Sequence, residues 1–366
     1  MKLLIEPEAG ADPLIKEIDG AKKSIEIAIF RFDHEGILGA LERAVDRGVA
    51  VHALIANTSH GDEKGLRRLE MELLPAGIEV SRTADDLLRH HYKFMIVDRR
   101  VLYVLTFNYT HLDIEHSRSF GLVVDDPEAV EEASKLFYAD VRRQPYKPEL
   151  KSFVVSPLNA REQLSHFIKG AEKQLLIYDP EVSDRAMIRL LRDRARQGVE
   201  IRIIGRVVKP SDDFDPGHLM RMRFHTRTIL RDRREAFLGS QSLREHELDR
   251  RRELGMFVRD HDIVHSLVKV FESDWAGLEP ARERSGKEGS AKEVTESAKA
   301  LKKTVKAIVR QLPLTPIVEE ALKHAVGDLP NFDLHSNDLR HNLTDVVKSA
   351  VEEAVSGIVR KNSARA

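Results

Sequence analysis

The chain has 366 residues, of which 42% are hydrophobic and 33% are charged, and its formal net charge is −1. This composition is typical of a globular protein large enough for two hydrophobic cores, and the charge balance gives no overall signature of a nucleic-acid-binding protein. The sequence contains no cysteine, which excludes disulfide bonds, a thiolate nucleophile and Cys-ligated zinc.

The first residues form a short apolar run that ends at Glu6. This run is too short for the apolar region of a signal peptide. No segment approaches the ~20 consecutive apolar residues of a membrane-spanning helix. The sequence therefore predicts a cytoplasmic protein, and a lipid substrate would require peripheral contact with the membrane.

The chain then repeats itself, which predicts two related lobes. Residues 20–29 align with 170–178, and residues 41–51 align with 191–201. The segment that starts at His91 matches the second half without a gap. The alternation of strands and helices predicts an α/β fold of two lobes related by a pseudo-two-fold axis, each with a mixed sheet flanked by helices. Such symmetry would bring equivalent strand ends of the two lobes together.

After Trp275 the composition changes, which predicts a separate C-terminal region. Charged residues, Gly and Ser come first, and apolar residues then recur at steps of four and three, the pattern of a helix stripe. We predict, in order, a first lobe at 1–145, a second lobe at 146–277, a linker at 278–293 and a C-terminal helical region at 294–366. The apolar stripe is suited to packing on the lobes, to homodimer formation or to binding a protein partner.

A short motif occurs once in each half. It consists of a histidine, a cation two positions later, an aspartate after four more residues, and a small polar residue ten positions after the aspartate. The two copies are His91, Lys93, Asp98 and Asn108, and His225, Arg227, Asp232 and Ser242. Two imidazoles and two cations that face one anion form a site for cleaving a phosphodiester through a covalent phosphohistidine.

These paired motifs resemble those of the phospholipase D superfamily. The resemblance covers about residues 1–277 and excludes the C-terminal region. It implies that His91 attacks phosphorus and that His225 is the general acid/base, and it leaves the opposite order open. It also implies that Lys93 and Arg227 neutralise the non-bridging phosphate oxygens, most strongly as charge develops in the transition state. This chemistry requires no metal ion or other cofactor.

The resemblance implies supporting roles for further polar side chains. The hydrogen-bond donors to the phosphate oxygens would be Asn108, Ser242, Thr106 and Ser240. Asp98 and Asp232 would have structural roles, because a carboxylate touching the phosphate would oppose the two cations. Glu253 follows Ser242 by eleven residues, where the family places an acid that orients a histidine. Ser119 stands at the equivalent position of the first half.

Several positions depart from the usual family pattern. Arg227 replaces the usual lysine, and the segments 105–108 and 239–242 depart from the usual Gly-Ser-x-Asn. These changes retain the positive charge and most of the polar groups. They also leave open a degenerate, non-catalytic member that binds phosphate-containing ligands without cleaving them.

The first functional hypothesis is a phospholipase D-like phosphodiesterase that hydrolyses a phospholipid or transfers its phosphatidyl group to an alcohol. The alternative is a metal-independent nuclease that uses the same site on DNA or RNA. Frequent arginines in the second half favour either a basic rim for phosphate groups or a salt-bridged surface. These arginines are Arg221, Arg223, Arg227, Arg231, Arg233, Arg234, Arg250, Arg251 and Arg252.

Overall fold

The computed structural model describes residues 1–57, 63–208, 216–217 and 222–278. All of these residues belong to one compact unit. The predicted linker beyond residue 278 and the predicted C-terminal helical region lie outside the described residues. The predicted boundary between the lobes, near residue 145, falls in a segment without regular structure and remains a prediction.

Strands and helices alternate in both halves of the described chain. The strands of the first half are β1 (Lys2–Glu6), β2 (Ser24–Ile29), β3 (Ala50–Ile55), β4 (Glu79–Arg82), β5 (Arg89–His90), β6 (Phe94–Val97), β7 (Val101–Leu105) and β8 (Ser117–Val124). Its helices are α1 (Asp12–Gly20), α2 (Glu35–Asp46), α3 (Glu63–Leu73), α4 (His111–Glu115) and α5 (Pro127–Val141).

The second half follows with a similar series. Its strands are β9 (Phe153–Ser156), β10 (Gln174–Val182), β11 (Glu200–Val207), β12 (Pro216–Gly217), β13 (Arg223–Phe224), β14 (Arg227–Arg231), β15 (Glu235–Gly239) and β16 (Arg251–Val258). Its helices are α6 (Ala160–Lys169), α7 (Arg185–Arg196), α8 (Glu245–Asp249) and α9 (His261–Ala276). The order from β6 to α5 is repeated from β14 to α9, so the repeat in sequence is also a repeat in structure.

Each half builds one mixed sheet. The first sheet has the order β1-β8-β7-β6-β2-β3-β4, and the second contains β12-β11-β10-β14-β15-β16 with β9 beside β16. In both sheets the crossover strands are parallel, as in β2 with β3 and β10 with β11, whereas the motif-bearing strands are antiparallel to their neighbours. The predicted α/β fold of two mixed sheets flanked by helices is confirmed.

The two halves exchange one short strand each. Strand β5 pairs with β16 of the second half, and β13 pairs with β8 of the first half. Each exchanged strand directly precedes a motif histidine, His91 or His225. The exchange therefore carries each histidine to the last strand of the opposite half.

Three apolar layers hold the sheets in place. The central core combines side chains of both sheets with α5 and α9, and the outer cores lie under α1 and α2 in the first half and under α6 and α7 in the second. Asp126 and Asp260 begin α5 and α9 by accepting hydrogen bonds from backbone N–H groups two residues ahead, both at 3.0 Å. Burial of these layers drives the two halves into one unit.

None of the helices in the described part of the chain is long and apolar enough to cross a membrane.

Candidate active site

The strand exchange places both motif histidines in one buried cluster. Each donates its backbone N–H to a carbonyl of the opposite half, at 2.8 Å for His91 and 3.0 Å for His225. The charge of Arg227 acts on the His91 ring, and the charge of Lys93 acts on the His225 ring. The structure thus brings together the four residues that the two motifs predict.

Each imidazole has a carboxylate at its Nδ1 atom. His91 Nδ1 lies 3.0 Å from both carboxylate oxygens of Glu253, which is fully buried. His225 Nδ1 lies 3.4 Å from Asp113 Oδ2. A carboxylate at Nδ1 favours the tautomer that carries its proton there and leaves the Nε2 lone pair free. Both partners come from the half that does not carry the histidine.

Asp113 was missed by sequence reasoning. Its Oδ2 accepts hydrogen bonds from Asn108 N at 2.9 Å and Asn108 Nδ2 at 2.6 Å, and its Oδ1 pairs with Arg223. In the second half, Ser242 N donates to Glu247 at 2.7 Å in the same way. An acid five residues after the polar motif residue is therefore common to both halves, and that spacing was the available signal.

The two cations are held by the carbonyl groups of their own motif histidines. Lys93 Nζ donates to the His91 carbonyl at 2.5 Å and lies 3.0 Å from His91 Nε2. Arg227 Nη1 donates to the His225 carbonyl at 2.9 Å, and its Nε donates to Ser242 Oγ at 3.2 Å. Both side chains are buried, so their charges act across a medium that screens them weakly.

Burial dominates the protonation states at this site. It lowers the pKa of His91 well below its ordinary value, and the charges of Lys93 and Arg227 lower it further. Burial also lowers the pKa of His225 well below its ordinary value, with Arg227 acting in the same direction and Asp113 opposing. Both imidazoles are therefore neutral near pH 7 in the free protein, which is the form that a nucleophile needs.

Lys93 gives the site a pH-dependent charge. Burial lowers the pKa of Lys93 to about 7, against the opposing effect of Glu253. Because the protonated form binds anions, we expect the affinity of the histidine cluster for sulfate to be greatest below pH 7 and to fall by up to about tenfold per pH unit above it. Calorimetric titration with sulfate from about pH 6 to about pH 9 measures this effect.

The matched variant for that titration is Lys93→Met, which keeps an unbranched side chain of similar length but removes the positive charge. In this variant, sulfate binding at the histidine cluster should be weak and should lose the decrease centred near pH 7. An unchanged decrease in a folded Lys93→Met protein would assign the titration to another group.

The predicted hydrogen-bond donors differ in their surroundings. Asn108 and Ser242 lie in the cluster, bound to Asp113 and Arg227 as described. Thr106 Oγ1 accepts from the backbone N–H of Phe120 at 2.9 Å. Ser240 Oγ exchanges hydrogen bonds with the backbone of the neighbouring strand β16 at 3.2 and 3.3 Å. The last two hydroxyls thus link neighbouring strands beneath the motif residues.

The motif aspartates lie at the far ends of the motif strands. Asp98 occupies a tight turn after β6 with φ of 53°, and its carboxylate accepts hydrogen bonds from the three successive backbone N–H groups of residues 22–24, at 2.6–3.1 Å. Asp232 has φ of 52° and binds the N–H groups of residues 172–174, at 2.7–3.2 Å. Each fastens the turn to the start of the adjacent strand, β2 or β10.

In the described part of the chain, one group of three side chains has atoms close enough together to hold a metal ion. The group is His34, His111 and Glu115. His34 Nδ1 accepts a hydrogen bond from Ile37 N at 3.4 Å, which places the proton of the neutral ring on Nε2, the atom that faces Glu115 at 3.6 Å. A protonated Nε2 cannot ligate a metal, so this geometry does not favour coordination.

Large parts of this chain are similar to known proteins. Residues 14–141 and 164–275 match the family model described as "Cardiolipin synthase, PLD-like domain". The mitochondrial cardiolipin hydrolase of Mus musculus is 30% identical over 149 residues, which cover 40% of this chain and 63% of that protein. The chain spans between 50% and 63% of the length of the three mitochondrial cardiolipin hydrolases that it matches.

Solved structures share the fold at low identity. Polyphosphate kinase from Porphyromonas gingivalis has a TM-score of 0.64 and 18% identity, and the match covers 75% of this chain and 50% of that one. Phosphatidylserine synthase from Haemophilus influenzae Rd KW20 has a TM-score of 0.60 and 11% identity, and the match covers 76% of this chain and 86% of that one.

Proposed function

This chain belongs to the phospholipase D superfamily, and on that premise we propose that it is a phosphodiesterase acting on a phospholipid. It would hydrolyse the phosphodiester or transfer the phosphatidyl group to an alcohol. One observation carries the proposal: two imidazoles from opposite halves, each with a carboxylate at Nδ1, share a buried cluster with two cations. The description of the matching family and the name of the mitochondrial relative support a lipid substrate.

The first step forms a bond between phosphorus and His91. The Nε2 lone pair attacks phosphorus, and the bond to the leaving alkoxide breaks with its electron pair on oxygen. Lys93 and Arg227 stabilise the charge on the non-bridging oxygens, which grows in the transition state. Glu253 stabilises the positive charge that develops on the His91 ring as it attacks, which is why a buried carboxylate at Nδ1 suits a nucleophile.

The leaving alkoxide receives its proton from His225. In the free protein burial lowers the pKa of this ring and Arg227 lowers it further, so the ring begins neutral. A phosphodiester anion between the cations would offset their charge and raise the pKa of His225. The acid form would therefore arise with substrate binding, and Asp113 at 3.4 Å would stabilise it.

The second step releases the product. Now neutral, His225 takes a proton from water or from an alcohol, whose oxygen attacks phosphorus. The bond between phosphorus and nitrogen breaks and its electron pair returns to His91. The same arrangement thus supports hydrolysis and transfer, and the identity of the attacking hydroxyl selects between them.

A comparison of substrates tests the proposal. The full chain is incubated in EDTA with labelled phosphatidylglycerol and ethanol, and separately with single-stranded and double-stranded DNA. We expect phosphatidic acid and phosphatidylethanol from the lipid and no cleavage of the DNA. The His91→Ala protein, with its fold checked by circular dichroism, serves as the control for contaminating activity.

The other outcomes contradict the proposal in distinct ways. Cleavage of DNA without lipid turnover would identify a metal-independent nuclease that uses the same residues. No turnover of either substrate by folded protein would identify a non-catalytic member that binds phosphate-containing ligands.

A further inference from the structure

A group of cations surrounds one aromatic ring beside His91. The Phe30 ring packs edge-on against the His91 ring, with centroids 4.5 Å apart. The guanidinium carbons of Arg89 and Arg31 lie 5.0 and 5.7 Å from the Phe30 centroid, and Lys93 Nζ lies 5.4 Å from it. The two guanidiniums therefore border the place that the proposed function gives to the scissile phosphate.

The positive charge of this group is only partly compensated. In the described part of the chain, no carboxylate forms an ion pair with Arg31 or Arg89, whose guanidiniums instead face the Phe30 ring. Arg251 pairs with Glu247 at 3.2 Å and with Glu253 at 3.9 Å, yet burial and the charge of Arg251 lower the pKa of Arg89 against the opposing charges of these two carboxylates. Like charges held close together raise the free energy of the free protein, and a bound anion would lower it.

The His225 side of the site is built differently. The alignment of the two halves gives the equivalents of Arg31, Arg89 and Arg251, in that order, as Glu181, Arg223 and Ser117. Of these, Arg223 is neutralised by an ion pair with Asp113. Among these six described positions, the two arginines without an ion pair, Arg31 and Arg89, both lie on the His91 side, which suits an asymmetric substrate with more than one anionic group.

We propose that Arg31 and Arg89, which flank Phe30, and Arg251, whose charge acts on Arg89, form a second phosphate site beside the catalytic histidines. The proposal rests on the proposed function and extends it: the substrate carries another phosphate near the one that is cleaved. Guanidinium groups suit this task because they bind phosphate through two parallel hydrogen bonds. The planar faces of Arg31 and Arg89 near Phe30 leave their N–H edges available for such contacts.

A lipid with two phosphates meets this requirement. In cardiolipin a flexible three-carbon bridge joins the phosphates, so that one can occupy the catalytic cluster while the other folds back towards the arginines. A short oligonucleotide carries the same pair of groups on a different scaffold. The shared chemistry is a second phosphate within one molecule, and the two sources are separated by experiment.

The kinetic test uses matched substrate pairs. The pairs are cardiolipin against phosphatidylglycerol in mixed micelles, and the dinucleotide TpT with and without a 5′-phosphate. We expect wild-type kcat/KM to be at least about tenfold higher for cardiolipin than for phosphatidylglycerol, through KM. Arg89→Gln should reduce that ratio to near one and leave turnover of bis(p-nitrophenyl) phosphate within about threefold of wild type.

The control removes one positive charge elsewhere. Arg185 is exposed on the first turn of α7. The Arg185→Gln variant should therefore keep the preference for cardiolipin. A preference that survives Arg89→Gln, or that is lost equally in Arg185→Gln, would overturn the second phosphate site. A preference confined to the 5′-phosphorylated dinucleotide would overturn the lipid source.

A binding measurement separates this proposal from the proposed function. Titration of the wild type with sulfate should show two binding events, and titration of Arg89→Gln should show one. The event that remains in Arg89→Gln should weaken above pH 7 because Lys93 loses its charge, whereas the lost event should be insensitive to pH. Two sulfate binding events in a protein that turns over no substrate would contradict the proposed enzymatic function but support the second phosphate site. A single event in the wild type would reject the site.

Discussion

His91→Ala should abolish turnover, with kcat lower by at least about 10⁴-fold, because it removes the proposed nucleophile and with it the covalent intermediate. The structure supports this expectation through the neutral, carboxylate-oriented ring, whose Nε2 lies beside Lys93. The measurement is a quench of the reaction with a phosphodiester labelled on phosphorus. Wild type should yield a labelled protein that is labile in acid and stable in alkali, and the variant should yield none.

The same experiment on His225→Ala distinguishes the nucleophile from the general acid. With a p-nitrophenyl ester, whose leaving group needs no proton, this variant should release about one equivalent of p-nitrophenolate rapidly and then stall. The stall follows because no base remains to activate water in the second step. With an alkyl phosphodiester, turnover by His225→Ala should fall by about 10²–10⁴-fold.

The control for both variants is His90→Ala, which removes the neighbouring imidazole and should keep most of the activity. A burst from His91→Ala together with no burst from His225→Ala would reverse the roles of the two histidines. Labelled protein formed at the normal rate by both variants would place the nucleophile outside the motifs.

The alternation of strands and helices in the duplicated chain predicted the fold class, and the repeated motif predicted the centre of the cluster. Spacing within the sequence linked His91 with Lys93 and His225 with Arg227, and the duplication indicated that the two pairs would meet. The structure contains two mixed sheets and places these four residues together. Local periodicity and a short fixed motif are properties that a single sequence displays directly.

Features that depend on contacts between the two halves could not be predicted from local sequence patterns. Strands β5 and β13 have two residues each, too few for a hydrophobic pattern, and their positions follow from pairing with the opposite half. The repeated spacing of Asp113 and Glu247 was visible in the sequence, but the contact of Asp113 with His225 was not, since it forms only after the chain has folded. Arg31, Arg89 and Arg251 come from three separate segments, so sequence spacing did not reveal that Arg31 and Arg89 share the Phe30 ring or that Arg251 acts on Arg89.

Asp113→Ala should lower kcat by about 10²–10⁴-fold while leaving KM nearly unchanged. The variant lacks the carboxylate that orients the His225 ring and stabilises its protonated form. The fall should be largest for alkyl phosphodiesters and small for the burst with a p-nitrophenyl ester, which needs no acid. This dependence on the leaving group separates a loss of proton transfer from a loss of folding. Thermal unfolding measured beside the kinetics checks that the loss of the ion pair with Arg223 has not destabilised the variant.

The similarity of the two halves suggests a second substitution that should restore the activity of Asp113→Ala. Ser119 occupies the first-half position equivalent to Glu253, is fully buried, and has an Oγ atom without a hydrogen-bond partner in the described structure. Ser119→Glu introduced into Asp113→Ala would place a carboxylate towards His225 as Glu253 is placed towards His91. We expect at least about tenfold recovery of kcat with alkyl substrates. Recovery by Ser119→Gln to the same extent would show that Asp113 acts through packing, since an amide cannot stabilise the imidazolium.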